Sequence, residues 1–193
     1  MKEKLNIQIT MPETTDDITL EMYLKLEAIF KRTDLGEYEI ENRAIKAVTG
    51  MRYNLIEKIK ISDREEILNL IQKALSTEGA EFKDRFDING ITFGFIPNLE
   101  KMVSKEWFDL KDYESKPDKA NRLMAILFRP IVKDMGKLGY LIEEYKGTSK
   151  YGDLMKKTPI SAYKGAMVFF WNLARELETH TLLHIAKQEL AKE

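Results

Sequence analysis

Glu176, His180 and His184 are the residues whose types and spacing come nearest to a chemical site. At i, i+4 and i+8 they share one face of a helix, and imidazole with carboxylate suits zinc or another divalent ion. The same spacing has an ordinary meaning, because Glu176 and His180 form a common i, i+4 pair. The segment His180-Thr181-Leu182-Leu183-His184 also lacks the internal glutamate that serves as general base in helical metalloprotease motifs. The reading is therefore no bound metal and no cofactor, with these three residues as the sole metal candidates. The chain holds two histidines, so any imidazole acid–base chemistry rests on this face.

Three pairs of adjacent carboxylates, Asp16-Asp17, Glu65-Glu66 and Glu143-Glu144, could supply acid–base or metal chemistry only if they faced one another across a cleft. Neighbours on a helix point about 100° apart, so each pair is better read as a helix-end or solvated charge. No serine or threonine has nucleophile-elbow spacing, and neither Gly90 nor Gly94 belongs to a phosphate-cradling loop. No catalytic residue is assigned, and the chain reads as a non-enzyme.

The most basic stretch carries Lys133, Lys137, Lys146, Lys150, Lys156 and Lys157, with Tyr140, Tyr145 and Tyr151 among them. A nucleic-acid surface would set such lysines on phosphates and such tyrosines under bases. Glu143, Glu144 and Asp153 interrupt the charge, which favours amphipathic packing residues instead.

These groups must be positioned by a chain of 193 residues, long enough to bury roughly 70% of its unfolded surface without staples. With no cysteine there are no disulfides or thiolate sites. Lysine and arginine total 31 against 32 acidic residues, so no net field gathers phosphates or anionic lipid. The longest apolar run, Ala166 to Trp171, is far short of the ~20 residues that span a bilayer, and charged Lys2, Glu3 and Lys4 give no signal-peptide character. The expectation is a protein inside the cell, without a membrane partner.

Alternation at Leu5, Ile7 and Ile9 predicts a strand over about residues 5–10, ended by Pro12. Thr19 is a candidate N-cap for a helix to about Arg32, and the stripe Ile40, Ala44, Ala47, Val48, Met51 predicts a second helix ending near Gly50. Ser62 and Glu65 have capping-box spacing ahead of a helix through Leu75, which stops near Thr77 before Gly79. Asn89-Gly90 predicts a hairpin between residues 82–88 and 91–96, paired with the N-terminal strand. Helices follow from Ser104 and from Ala120 to Phe128, with a break at Lys116-Pro117 and a stop at Pro130. Residues 146–152 read as an exposed loop. Thr158-Pro159 reads as a cap and first turn for a long helix over about residues 160–190.

One device occurs twice: an extended apolar segment, a proline, and then a hydroxyl-capped helix. The copies run from Leu5 through Pro12 and Thr19 to Tyr23, and from Ile91 through Pro97 and Ser104 to Phe108. Their strand alternation is one residue out of phase, which favours reuse over duplication. The fold class is a mainly helical α+β protein: a helical bundle with a small antiparallel sheet made of the N-terminal strand and the central hairpin. It reads as a single domain over 1–193, with lobes 1–80 and 98–193 joined by the 82–96 hairpin.

Aromatic and methionine residues are the usual anchors of interfaces. Met167, Phe169, Phe170 and Trp171 on the long helix, with Trp107 and Phe108, are the interface candidates of an oligomer or a partner complex.

The order of elements resembles that of tailed-bacteriophage morphogenesis proteins, the tail-assembly-chaperone-like and tail-region proteins of phages with Bacteroidetes hosts. The similar residues are Ile9-Thr10-Met11-Pro12 leading to Asp17-Ile18-Thr19-Leu20 and Tyr23, and Asn89-Gly90-Ile91-Thr92-Phe93-Gly94-Phe95-Ile96-Pro97. Arg129-Pro130, and Thr158-Pro159-Ile160-Ser161-Ala162-Tyr163 before Phe169-Phe170-Trp171, complete them. The resemblance implies a non-enzymatic protein of particle assembly that contacts other phage structural or assembly proteins. It places the chain in the host cytoplasm during assembly, or in the virion. The alternatives are a metal-dependent enzyme using Glu176, His180 and His184, and a virion protein that contacts nucleic acid through residues 133–157.

Overall fold

Thr19 starts the first helix as its spacing predicts: in the computed structural model its extended backbone lets Oγ accept from the Met22 amide at 3.3 Å. The structure describes residues 12, 14, 16–76, 81–170 and 172. The expected strand over 5–10, the stop at Thr77-Gly79, Trp171 and the helix beyond residue 172 lie outside the described residues.

Helix α1 (Leu20–Phe30) is followed by α2 (Glu37–Thr49), α3 (Tyr53–Ile56) and α4 (Ile61–Leu75). Gly50 closes α2 in the left-handed region at φ 69°, where a side chain would be strained. The expected Ser62–Glu65 box does not form. The N-cap of α4 is Lys60, two residues earlier, and the Ser62 hydroxyl donates to Asp63 instead. Leu26, Ala44, Ile45, Val48, Ile56, Ile67 and Ile71 form a helical core.

The rest of the chain builds a second core around a sheet. Strands β1 (Arg85–Ile88) and β2 (Ile91–Phe95) are joined at Asn89 and Gly90, with φ of 53° and 78°. Both positive values are what a two-residue hairpin turn of this hand requires. β3 (Phe128–Asp134) and β4 (Tyr140–Ile142) complete an antiparallel sheet of order β1-β2-β3-β4. The described partner of the hairpin is thus β3, whose start the sequence predicts as the end of a helix. Helix α6 (Ala120–Leu127) passes directly into β3, so Pro130 lies inside a central strand. It is tolerated because its carbonyl and nitrogen both point toward β4, where the Glu143 amide donates to the Pro130 carbonyl and the ladder ends.

Helix α5 (Ser104–Glu114) and α6 are separated by a 3-10 turn at Pro117–Lys119, where the break was expected. Helix α7 covers residues 160–170. Thr158 is not its cap: Thr158 is fully buried, and its hydroxyl donates to Met155 Sδ. The α1 and α7 starts are instead tied by a short bridge, in which the Leu20 amide donates to Thr158 and the Ile160 amide to Ile18, both at 2.8 Å.

The fold is therefore α+β and mainly helical, as expected. Phe93, Phe95, Phe128, Leu110, Met124, Leu127, Ile160 and Ala166 lie in the sheet-centred core. Residues 146–152, expected as an exposed loop, are pinned to α6: Asn121 Nδ2 donates to the Gly152 carbonyl at 2.6 Å, and Arg122 to that of Thr148 at 2.9 Å. Among the described residues no helix is long and apolar enough to cross a membrane.

Candidate functional site

Helix α5 carries the clearest contrast between an inner face and an outer one. It starts at Val103, whose backbone is extended and whose side chain cannot cap. The Glu106 carboxylate, three residues on, takes the Val103 amide and supplies a negative charge at the positive helix end.

Glu106 and Leu110 point inward. Glu106 Oε1 lies 2.8 Å from Arg129 Nη2 of β3, with side chains only 4% and 11% exposed. Burial pushes the Glu106 carboxyl up and the Arg129 guanidinium down, and each charge offsets part of that shift in the other. The Arg129 guanidinium also lies 5.8 Å from the Tyr145 ring centre, and the Tyr145 hydroxyl donates to Asp109 Oδ2 at 2.5 Å. That bond holds Asp109 below the usual carboxylate range. The group joins α5 to β3 and to the segment after β4, although Glu106 Oε1 and Arg129 Nε are buried without a hydrogen-bond partner among the described residues.

The outer face sets large apolar side chains among the exposed Ser104, Lys111 and Asp112. Val103, Trp107 and Phe108 are 55%, 47% and 70% exposed. Lys111 Nζ sits 5.2 Å from the Trp107 ring, within cation–π range. Lys105 pairs with Asp109, Lys111 with Glu114 and Lys116, just beyond the helix, with Asp112, so the charges around these rings are balanced locally.

The interface candidates on α7 are placed differently. Phe169 is 36% exposed, stacks on Phe82 at 4.4 Å between centres and meets Phe95 edge-on at 5.5 Å. Met167 and Phe170 are partly buried against the sheet-centred core, and Trp171 lies outside the described residues.

Glu176, His180 and His184 also lie outside them. Among the described residues no group of three or more histidine or acidic side chains could hold a metal ion. The carboxylate pairs do not converge. Asp16 accepts from Lys83 and Ser161, Glu65 and Glu66 are exposed on α4, and Glu143 accepts from Lys150 and Tyr151.

The tyrosines of the basic stretch are engaged by their hydroxyls. Tyr140 donates to the Asp84 and Phe95 carbonyls, Tyr145 to Asp109, and Tyr151 to Glu143. Lys150 and Lys156 are paired with Glu143 and Asp153.

Two features escaped the sequence reading. Lys164, on α7, donates from Nζ to the Leu75 and Ser76 carbonyls at 3.0 and 2.7 Å, a cation on the negative end of α4. A lysine inside an otherwise apolar helical run was the available signal. Arg129 beside Pro130 looked like a helix end, so nothing marked it as the partner of Glu106.

No family model, curated protein or solved structure matches the chain.

Proposed function

We propose that the chain is a non-enzymatic bacteriophage assembly protein of the tail or head–tail region, acting through protein–protein contacts in the host cytoplasm or in the virion. The observation that carries the contact reading is the outer face of α5. Val103, Trp107 and Phe108 hold large apolar surface in water on a helix whose inner face is fixed by Glu106, Leu110 and Arg129. Exposed aromatics grouped on a rigid element are the composition of an interface anchor. The phage setting is supported by the resemblance of the Asn89 to Pro97 and Thr158 to Trp171 segments. In support of a non-enzymatic role, the polar cluster around Arg129 ties three segments of the fold together through the Glu106–Arg129 ion pair and the Tyr145–Asp109 bond.

Mass spectrometry of purified mature particles and of soluble assembly fractions from the producing cells tests this reading. The protein is expected in the particles, as a structural component, or in a soluble complex with a tail or head–tail protein, as a chaperone. Its recovery solely as a free monomer, in neither fraction, would contradict the proposal.

A further inference from the structure

We propose that a pocket of about 290 Å³ beside α7 binds a small neutral ligand with an apolar, ring-sized body and one or two hydrogen-bonding atoms. It lies between α1, the end of α5, the start of α6 and α7, and its size falls at the lower end of small-molecule sites. Leu123, Met167 and Val168 give it apolar walls, and the Tyr23 and Tyr163 rings stand 6.1 Å apart beside them.

Its polar groups decide the ligand class. The three charged side chains that line it are already engaged. Lys116 is 2.5 Å from Asp112, Glu114 accepts from Lys111 at 3.0 Å, and Lys164 donates to two carbonyls while lying 5.2 Å from the Tyr23 ring centre. A charged ligand would lose its hydration without gaining a counter-charge.

The phenols differ from these groups. The Tyr23 hydroxyl donates to Glu27, but those of Tyr113 and Tyr163 bond no protein group among the described residues. Burial also raises the Tyr163 phenol, so it stays protonated and can donate. Tyr113 and Tyr163 both line the pocket, and phenols without a protein partner there match a neutral molecule such as a phenol or cyclic alcohol. This assignment is independent of any partner protein and goes beyond the assembly reading.

Titration of the full chain with p-cresol, followed by NMR, tests it against benzoate and benzylamine as charged analogues of similar size. Saturable p-cresol binding is expected. Val168→Trp, which fills the pocket from its exposed rim, should weaken it by about tenfold or more, and Tyr163→Phe, which keeps the ring, by roughly 2–10-fold. Both charged analogues should bind at least about tenfold more weakly. Three results would overturn the proposal: no saturable p-cresol binding, a Val168→Trp titration that matches the parent chain, or a charged analogue that binds as tightly as p-cresol.

Discussion

Arg129 Nη2 lies 2.8 Å from Glu106 Oε1, yet neither Glu106 Oε1 nor Arg129 Nε has a well-aligned hydrogen-bond partner among the described residues. The pair is close in space but imperfect in direction, so its attraction only partly offsets the desolvation of two charges. Removing one partner is much worse than removing both. Glu106→Ala should cost about 3–5 kcal/mol in urea unfolding, because it strands a buried guanidinium. Glu106→Leu with Arg129→Met should recover most of that loss, and equal destabilisation by the single and double variants would refute the pairing argument.

The Tyr145 hydroxyl lowers the Asp109 carboxyl, so the folded state holds this proton less tightly than the unfolded chain. Its stabilisation is present above the unfolded pKa and is lost as pH falls through the folded value. Asp16 and Glu143 are shifted the same way, by Lys83 and Lys150 foremost. Tyr145→Phe should move the Asp109 midpoint upward in a carboxyl-carbon NMR titration. An unchanged midpoint would show that the bond does not form in solution.

Gly165 lets α7 cross the chain at Glu81, where an added Cβ would collide with the Glu81 carbonyl oxygen. The obstacle is backbone and cannot swing away. Gly165→Ala should therefore lower stability by at least about 1–3 kcal/mol despite its better helix propensity, whereas Gly36→Ala, with open space around it, should cost far less. Thermal unfolding of the two variants side by side distinguishes a packing effect from a general intolerance of alanine.

Lys164 links α7 to the end of α4 through charged hydrogen bonds. Lys164→Met keeps much of the apolar stem but removes the ammonium. It should cost about 1.5–3 kcal/mol, with hydrogen exchange accelerating most in the last turn of α4. Uniform acceleration across the chain would argue against a local capping role.

The legible parts of this fold were those decided by neighbours in sequence. Asn89-Gly90 specifies its turn through positive φ, Thr19 supplies its own cap, and the α2 stripe ends at a left-handed Gly50. The parts decided by distant residues were not legible. The Ala120 to Phe128 stripe reads as a helix that Pro130 should end, and only the sheet explains why Phe128 pairs with Phe95 and Pro130 with Phe93. Ser62 and Glu65 have the spacing of a box, but Lys60 is the N-cap of α4, which leaves Ser62 inside the helix. At the candidate surface, composition marked Trp107 and Phe108 alongside Met167 and Phe170. Tertiary packing separates the two exposed rings from side chains that lean on the core.

The outer face of α5 is the centre of the functional account, and Trp107 and Phe108 can be changed without touching Leu110 or the Glu106–Arg129 pair. Native mass spectrometry of the parent chain and of a Trp107→Ser, Phe108→Ser variant, each mixed with a panel of phage tail and head–tail proteins, is the most direct measurement. The account predicts a defined complex for the parent chain and its loss in an otherwise folded variant. A parent chain that stays monomeric with every one of those proteins, or a variant that assembles as well as the parent, would contradict it.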